Sequence, residues 1–512
     1  MPSTHPIEKR ITMGRIETLT NLPLLSTLLL LPLLGIAMIW LIPQVRARMI
    51  SLLTLGLALI PALSALLLLD SASSDFQMLE TYPWIPALDA HFRFGIDGFS
   101  APFLPLTVLL FIAVTLASWK RIQNMPRIYY SLLLMFATAT LGVFITIDTL
   151  AFFLFWELTL APLYFLISLW GIGPHRRYAA TKYTLFMLAG GIPLLLAFTV
   201  LAINHAEIIG ATPPAGLSFD YLTLLDTRLP PGMETIVFAF LLIGFAIKTP
   251  LFPLHTWLPI VALEGPVPIA ALLVGLKLGA YGLIRFAIPL APNAAQELHW
   301  LLAGLGVVGI LYGALAALNQ TNLRRMLAYA SMSHVGLVVL GVAAFNQQGL
   351  QGAMFQLYNF VLIAGGLFLL TGYLHHRLGS TDLIHLGGAA QSMPLLAAFF
   401  MFLGLASLGI PGTSGFPAEF LILISALTTH TGAGLAALFG IIIGAGYLLN
   451  SYRQSFYGPI TDNQVRIAQD LKPRELLTML VFSLLVLMFG LFPGQVLDLT
   501  QATAVAWLSR MQ

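Results

Sequence analysis

A bilayer's hydrocarbon core is spanned by a helix of about 20 apolar residues, and roughly fourteen runs of that kind succeed one another along this chain. They lie near 22–43, 48–69, 100–119, 128–146, 149–171, 180–203, 234–258, 266–288, 298–318, 324–344, 350–375, 393–424, 433–458 and 475–493. Of the 512 residues 58% are hydrophobic and only 9% charged, too few to clothe a soluble domain of this size. The sequence therefore predicts an all-α polytopic membrane protein of about 14 transmembrane helices, with the lipid bilayer as its first partner.

Composition also excludes chemistry. The chain has no cysteine, which removes disulfides, thiolate metal sites and iron–sulfur ligation. It has no Gly-rich nucleotide loop after a strand pattern, and a net charge of +3 is too small and scattered for a nucleic-acid partner. The expectation is no cofactor and no metal in this chain, with any redox group carried by a partner.

Lysine and arginine fall in alternate loops: Arg46 and Arg48; Lys120, Arg121 and Arg127; Arg176 and Arg177; Arg324 and Arg325; Arg377; and the run from Arg453 to Arg474. The positive-inside rule makes those loops cytoplasmic and places both termini outside. The intervening loops carry Asp70, Asp75, Glu80 and Asp89, or Glu207, Asp220 and Asp226. Lys9, Arg10 and Arg15 run against this scheme, unless Met13 is the true start. No small-residue cleavage site follows them, so the first span is expected to be retained.

Two apolar runs are broken. FAFLLIGFAIKTPLFPLHTWLP, 238–259, contains a lysine and then prolines at 250, 253 and 259, and SLGIPGTSGFPAEF, 407–420, is interrupted in a similar way. Broken helices at corresponding places in two halves are the sequence trace of inverted-repeat transporters. Backbone freed by proline survives in a membrane only against water or protein. The expectation at 250–253 is water, hydrating Lys248. The polar connections 70–99 and 204–233 are long enough for lids or short hairpins, not for domains.

Four ionisable residues lie inside apolar runs: Glu157, Lys248, Lys277 and Glu419. Each costs roughly 2.5–3.5 kcal/mol at a helix centre on insertion scales, so each must face the bundle interior with a partner or water. A single such charge is often a structural ion pair. Four of alternating sign on four spans point instead to a proton relay, because a charge moving at one site changes the protonation balance of the next.

FFLFWELTLAPLYFLISLWG, AATKYTLF, KTPLFPLHTWLP, GLKLGAYGLIRF, LRRMLAYASMSHVGL and PGTSGFPAEF, in this order and spacing, resemble the antiporter-like proton-translocating subunits of respiratory complex I. The chain is most similar to the subunit M branch of NADH:quinone oxidoreductases, the mitochondrial chain 4 family, over about residues 95–460. The same motifs occur in multisubunit Na⁺/H⁺ antiporters and membrane-bound hydrogenases. The resemblance implies two inverted five-helix repeats with helices 7 and 12 broken. It divides the chain into N-terminal helices and an outer loop (1–95), an antiporter-like core (96–460), and a cytoplasmic loop with the last transmembrane helix (461–512). It implies a relay of Glu157, Lys248, Lys277 and Glu419, the glutamate at 419 favouring subunit M. His334, Lys182 and His255 are secondary candidates. Asp97 reads as structural and Arg285 as an interface anchor. NADH or ferredoxin, FMN, iron–sulfur clusters and quinone are expected on partner subunits of a complex I-like membrane arm, in a bacterial inner membrane.

The chain also departs from the family. After TWLP, where many relatives read Asp-Ala-His, it has Ile260, Val261 and Ala262 before Glu264, and on the eleventh span Phe360 stands where many carry histidine. An apolar side chain carries no proton, so conduction there requires water ordered by Gln356, Tyr358 and Asn359. A non-conducting structural paralogue remains the alternative that these two changes raise, beside the Na⁺/H⁺ antiporter subunit.

Overall fold

The computed structural model describes residues 23–460 and 462–511. Lys9, Arg10, Met13 and Arg15, on which the N-terminal orientation and start turned, lie outside the described residues. Among the described residues twelve helices are long and apolar enough to cross a membrane, from Leu24–Leu41 to Pro473–Leu491. Each coincides with one apolar run of the sequence. The two remaining runs hold shorter helices: Phe103–Ser118, and the pair Pro394–Ser407 and Gly415–Thr429.

Both anticipated breaks are present. The Pro231–Lys248 helix stops at Lys248 and the chain is helical again only over Trp257–Glu264. The carbonyls freed there are taken by protein. Thr249 donates from both N and Oγ1 to Phe245 O, at 2.9 and 2.6 Å, Leu251 N donates to Ala246 O at 3.0 Å, and Trp257 Nε1 to Ile247 O at 2.9 Å. Side-chain and turn hydrogen bonds thus satisfy these carbonyls. The other break is locked by the Pro473–Leu491 helix, where Ser414 N donates to Val486 O at 3.0 Å. Gly490 makes that contact possible, since a Cβ there would lie 2.3 Å from the carbonyl carbon of Thr413.

Two further breaks are present. Thr159, three residues before Pro162, divides Thr149–Leu158 from Leu160–Trp170, and Leu276 with Lys277, with no proline between them, divides Val267–Gly275 from Leu278–Gly282. A π-helical turn follows at Leu283–Ala287, and another interrupts the eleventh span at Phe360–Ala364. The breaks at Lys248 and Lys277 pack on each other: a Cβ at Gly279 would come within 2.4 Å of Thr249 N.

The 70–99 connection folds into an antiparallel hairpin, Gln77–Ile85 with Ala90–Ile96. It ends in a turn at Asp97, which accepts from Phe99 N and Ser100 N at 3.1 and 3.0 Å. Beside it, burial pushes the Asp148 carboxyl up to about 6 although three backbone N–H groups bond it. Arg285, expected at an interface, is buried instead: its Nη2 pairs with Asp97 Oδ1 at 2.5 Å. Beyond the last predicted span lies one more helix, Gly494–Ser509. It straps the ends of distant spans together, through Gly98 N to Thr503 Oγ1 (3.2 Å), Trp507 Nε1 to Ile284 O (2.8 Å) and Gln351 Nε2 to Leu497 O (3.0 Å).

Candidate functional site

The intramembrane ionisable residues form two groups, in which the lysines and glutamates sit at or beside an interrupted backbone and His334 stands on the continuous helix Leu323–Ala343. A regular helix has no unspent donors or acceptors for a buried charge, whereas a break brings carbonyls and short polar side chains to the same level.

The first group is Glu157 and Lys248. Lys248 Nζ donates to Thr159 Oγ1 at 2.8 Å and Trp156 O at 3.1 Å, and lies 3.8 Å from the centre of the Trp156 ring. Glu157 Oε1 is buried with no hydrogen bond, against Gly191, where an added Cβ would stand 2.3 Å from it. Glu157 and Lys248 do not close an ion pair; among the described residues no ion pair contains a lysine. The two act on each other through charge alone.

Lys277, His334 and Glu419 form the second group. Lys277 is 3% exposed; its Nζ donates to Ser331 Oγ at 2.6 Å and lies 4.9 Å from the centre of the Phe360 ring. Ser331 and His334 are three residues apart on the Leu323–Ala343 helix, so both face the same interior cavity of about 40 Å³, walled also by Gln356, Asn359, Phe360 and Tyr447. A water needs about 10–15 Å³ of such space, so this one accommodates about three. A second cavity of about 10 Å³, room for about one water, lies between His334 and Glu419. His334 belongs to both. Its Nδ1 faces Ala330 O at 2.8 Å and its Nε2 faces Ser407 O at 2.7 Å, with Glu419 Oε1 3.6 Å from Nε2. Both carbonyls accept only, so the doubly protonated ring satisfies both and a neutral ring only one. Gly409 gives the carboxylate room: its φ is +64° and a Cβ there would lie 2.6 Å from Glu419 Oε2.

The remaining candidates are scattered. Asn359 Nδ2 donates to Ser414 O at 2.8 Å, tying the eleventh span to the second break, while its Oδ1 has no partner. Tyr358 turns away: its hydroxyl donates to Phe99 O at 3.0 Å, by the Asp97 turn. His255 is 3% exposed, with Phe252 stacked at 5.7 Å and Nδ1 unpartnered. Lys182 Nζ lies 5.9 Å from the centre of the Phe186 ring and has no hydrogen bond among the described residues. Among the described residues no hydrogen bond joins the Lys248 group to the Lys277 group; they meet by packing, with Gly279 against Thr249 and Gly282 against the Phe245 ring. Sequence reasoning missed Thr159, Trp156, Ser331 and the Phe360 ring as partners of the lysines. Ser331 alone had a signal, its helical spacing from His334 in SMSHVGL.

A polytopic helical protein with buried lysines and carboxylates at broken spans, joined in part by water-sized cavities, belongs to the class of ion-translocating membrane proteins. Residues 146–444 match the family described as "NADH:quinone oxidoreductase/Mrp antiporter, TM", and the chain belongs to that family. It is 37% identical over 504 residues to NAD(P)H-quinone oxidoreductase chain 4 1 of Nostoc sp., covering 95% of this chain and 91% of that one. NADH-quinone oxidoreductase subunit M of Rickettsia bellii is 34% identical over 490 residues, 93% of this chain and 97% of that one. Among solved structures, a chain of respiratory complex I from Thermus thermophilus with bound NADH superposes with a TM-score of 0.87 at 32% identity, over 95% of this chain and all of that one.

Proposed function

We propose that this chain is a proton-translocating membrane subunit of a complex I-like NADH:quinone oxidoreductase. The observation that carries the reading is the line from Lys277 through Ser331 and the 40 Å³ cavity to His334 and Glu419, with no apolar residue required to carry a proton. Phe360 does not interrupt it, because the cavity passes beside the ring along Gln356 and Asn359. Translocation uses Glu157, Lys248, Lys277 and Glu419 as proton-binding groups, His334 as the bridge, and the 96–460 core as the conducting part. Tyr358 serves packing. Donor oxidation and quinone reduction belong to partner subunits of the membrane and peripheral arms, which hold the cofactors.

Glu157→Gln tests the first group. The amide keeps the volume beside Gly191 but removes the charge that acts on Lys248. Proton translocation in reconstituted vesicles is therefore expected to fall several-fold while the complex still assembles. Unchanged translocation refutes the coupling of the two residues, and loss of assembly assigns Glu157 to packing.

In a bacterial inner membrane, the alternation of basic loops supports a reading with the 176 and 325 loops in the cytoplasm and both termini outside. The chain has no cysteine, so Arg177→Cys introduces a unique target for an impermeant thiol reagent. Labelling is expected in inside-out vesicles only; labelling of intact cells reverses the orientation.

A further inference from the structure

Both intramembrane lysines rest in the same kind of cradle. Lys248 has the Thr159 hydroxyl at 2.8 Å and the Trp156 ring at 3.8 Å, and Lys277 has the Ser331 hydroxyl at 2.6 Å and the Phe360 ring at 4.9 Å. Neither has a carboxylate within ion-pair distance. An ammonium has three N–H donors, and at Lys277 only one is spent on a hydrogen bond. What faces the remaining charge is the aromatic ring.

We propose that Phe360 is a positioning residue for proton transfer: its ring holds the Lys277 ammonium by a cation–π contact at the wall of the cavity that leads to His334. The inference rests on the reading of Lys277 as a relay group. The negative face of a ring attracts a cation and has no comparable attraction for a neutral amine. The contact therefore holds Lys277 in place only while it carries its proton, and its release on deprotonation frees the side chain to move. The ring also lines the 40 Å³ cavity, so its position sets how closely water approaches Nζ. It stands on the first residue of the π-helical turn Phe360–Ala364. Such turns interrupt the regular ladder and recur at functional sites. Phe360 is thus the functional counterpart of a polar residue: it supplies electrostatic attraction without titrating.

The test is a fluorination series at position 360 in the assembled complex, with mono-, di- and trifluorophenylalanine incorporated and proton translocation measured in reconstituted vesicles. Fluorine withdraws density from the ring face while nearly preserving its shape, so a packing role does not respond to it. Cation–π contacts of buried cations correspond to about 2- to 30-fold in an equilibrium, so translocation is expected to decline in graded steps to a total within that range. Phe360→Leu is expected to match the trifluoro variant, and Phe360→Tyr, which keeps the ring face, to restore most of the rate. A flat series, or Phe360→Leu at the wild-type rate, overturns the inference. Lys277→Met measured alongside separates the two readings. If it abolishes translocation while the series is flat, the cradle alone fails. If it changes nothing, the relay reading fails and the cradle with it.

Discussion

Lys277→Met is expected to abolish proton translocation by the assembled complex, with a loss of about 10²-fold or more, the usual contribution of a group that accepts and passes on a transferred proton. The substitution keeps an unbranched side chain of similar length in the space between Ser331 and Phe360. It removes a charge whose insertion costs roughly 2.5–3.5 kcal/mol, so the variant gains no reason to misfold or to leave the membrane. The serine hydroxyl left behind can bond water in the adjacent cavity. Translocation in vesicles and the amount of subunit recovered in the complex are the two measurements. Loss of pumping with normal assembly supports the relay; protons moved per electron at the wild-type value would make Lys277 a packing residue and the chain a structural subunit.

Asp97→Ala is expected to do the opposite, removing the subunit from the membrane rather than silencing it. Asp97 and Arg285 are both buried and pair at 2.5 Å, and the guanidinium lies 5.1 Å from the Phe76 ring and 5.7 Å from those of Phe99 and Tyr281. Deleting the carboxylate leaves a buried cation uncompensated, at a cost of about 3–5 kcal/mol. It also strands the N–H groups of Phe99 and Ser100 in the turn against which the C-terminal helix docks through Thr503. Thermal unfolding of the purified complex and the yield of assembled subunit should both fall. Asp97→Ala combined with Arg285→Met removes the stranded charge and should recover much of the loss. A single variant that melts like the wild type would show that the pair contributes nothing.

Much of this protein was legible in one dimension because a bilayer imposes a one-dimensional rule. Every crossing segment needs a long apolar run, so each predicted run coincides with an apolar helix. Ionisable residues stand out in such runs by their cost, and that is why Glu157, Lys248, Lys277 and Glu419 were found without reference to their neighbours. Proline and glycine announced the breaks at Lys248 and near Gly409. The break at Thr159 had only Pro162 behind it and the break at Lys277 no proline, and at the latter Gly279 packs against Thr249 of another span. The helix Gly494–Ser509 was missed because its purpose is to bind three distant segments rather than to cross.

What each polar residue touches was decided by the tertiary structure alone. Arg285 and Asp97, 188 residues apart, read as an interface anchor and a separate structural residue and are one buried ion pair. Tyr358 and Asn359 are adjacent in sequence, yet one points to the turn at Phe99 and the other to the second break at Ser414. Phe360 read as a lost proton carrier, and its ring centre stands 4.9 Å from the Lys277 ammonium. Periodicity and composition report which residues must be buried, because burial is a property each residue carries with it. Partnership depends on which spans the fold brings to the same depth and on the few ångströms between their side chains, and no local pattern encodes that distance.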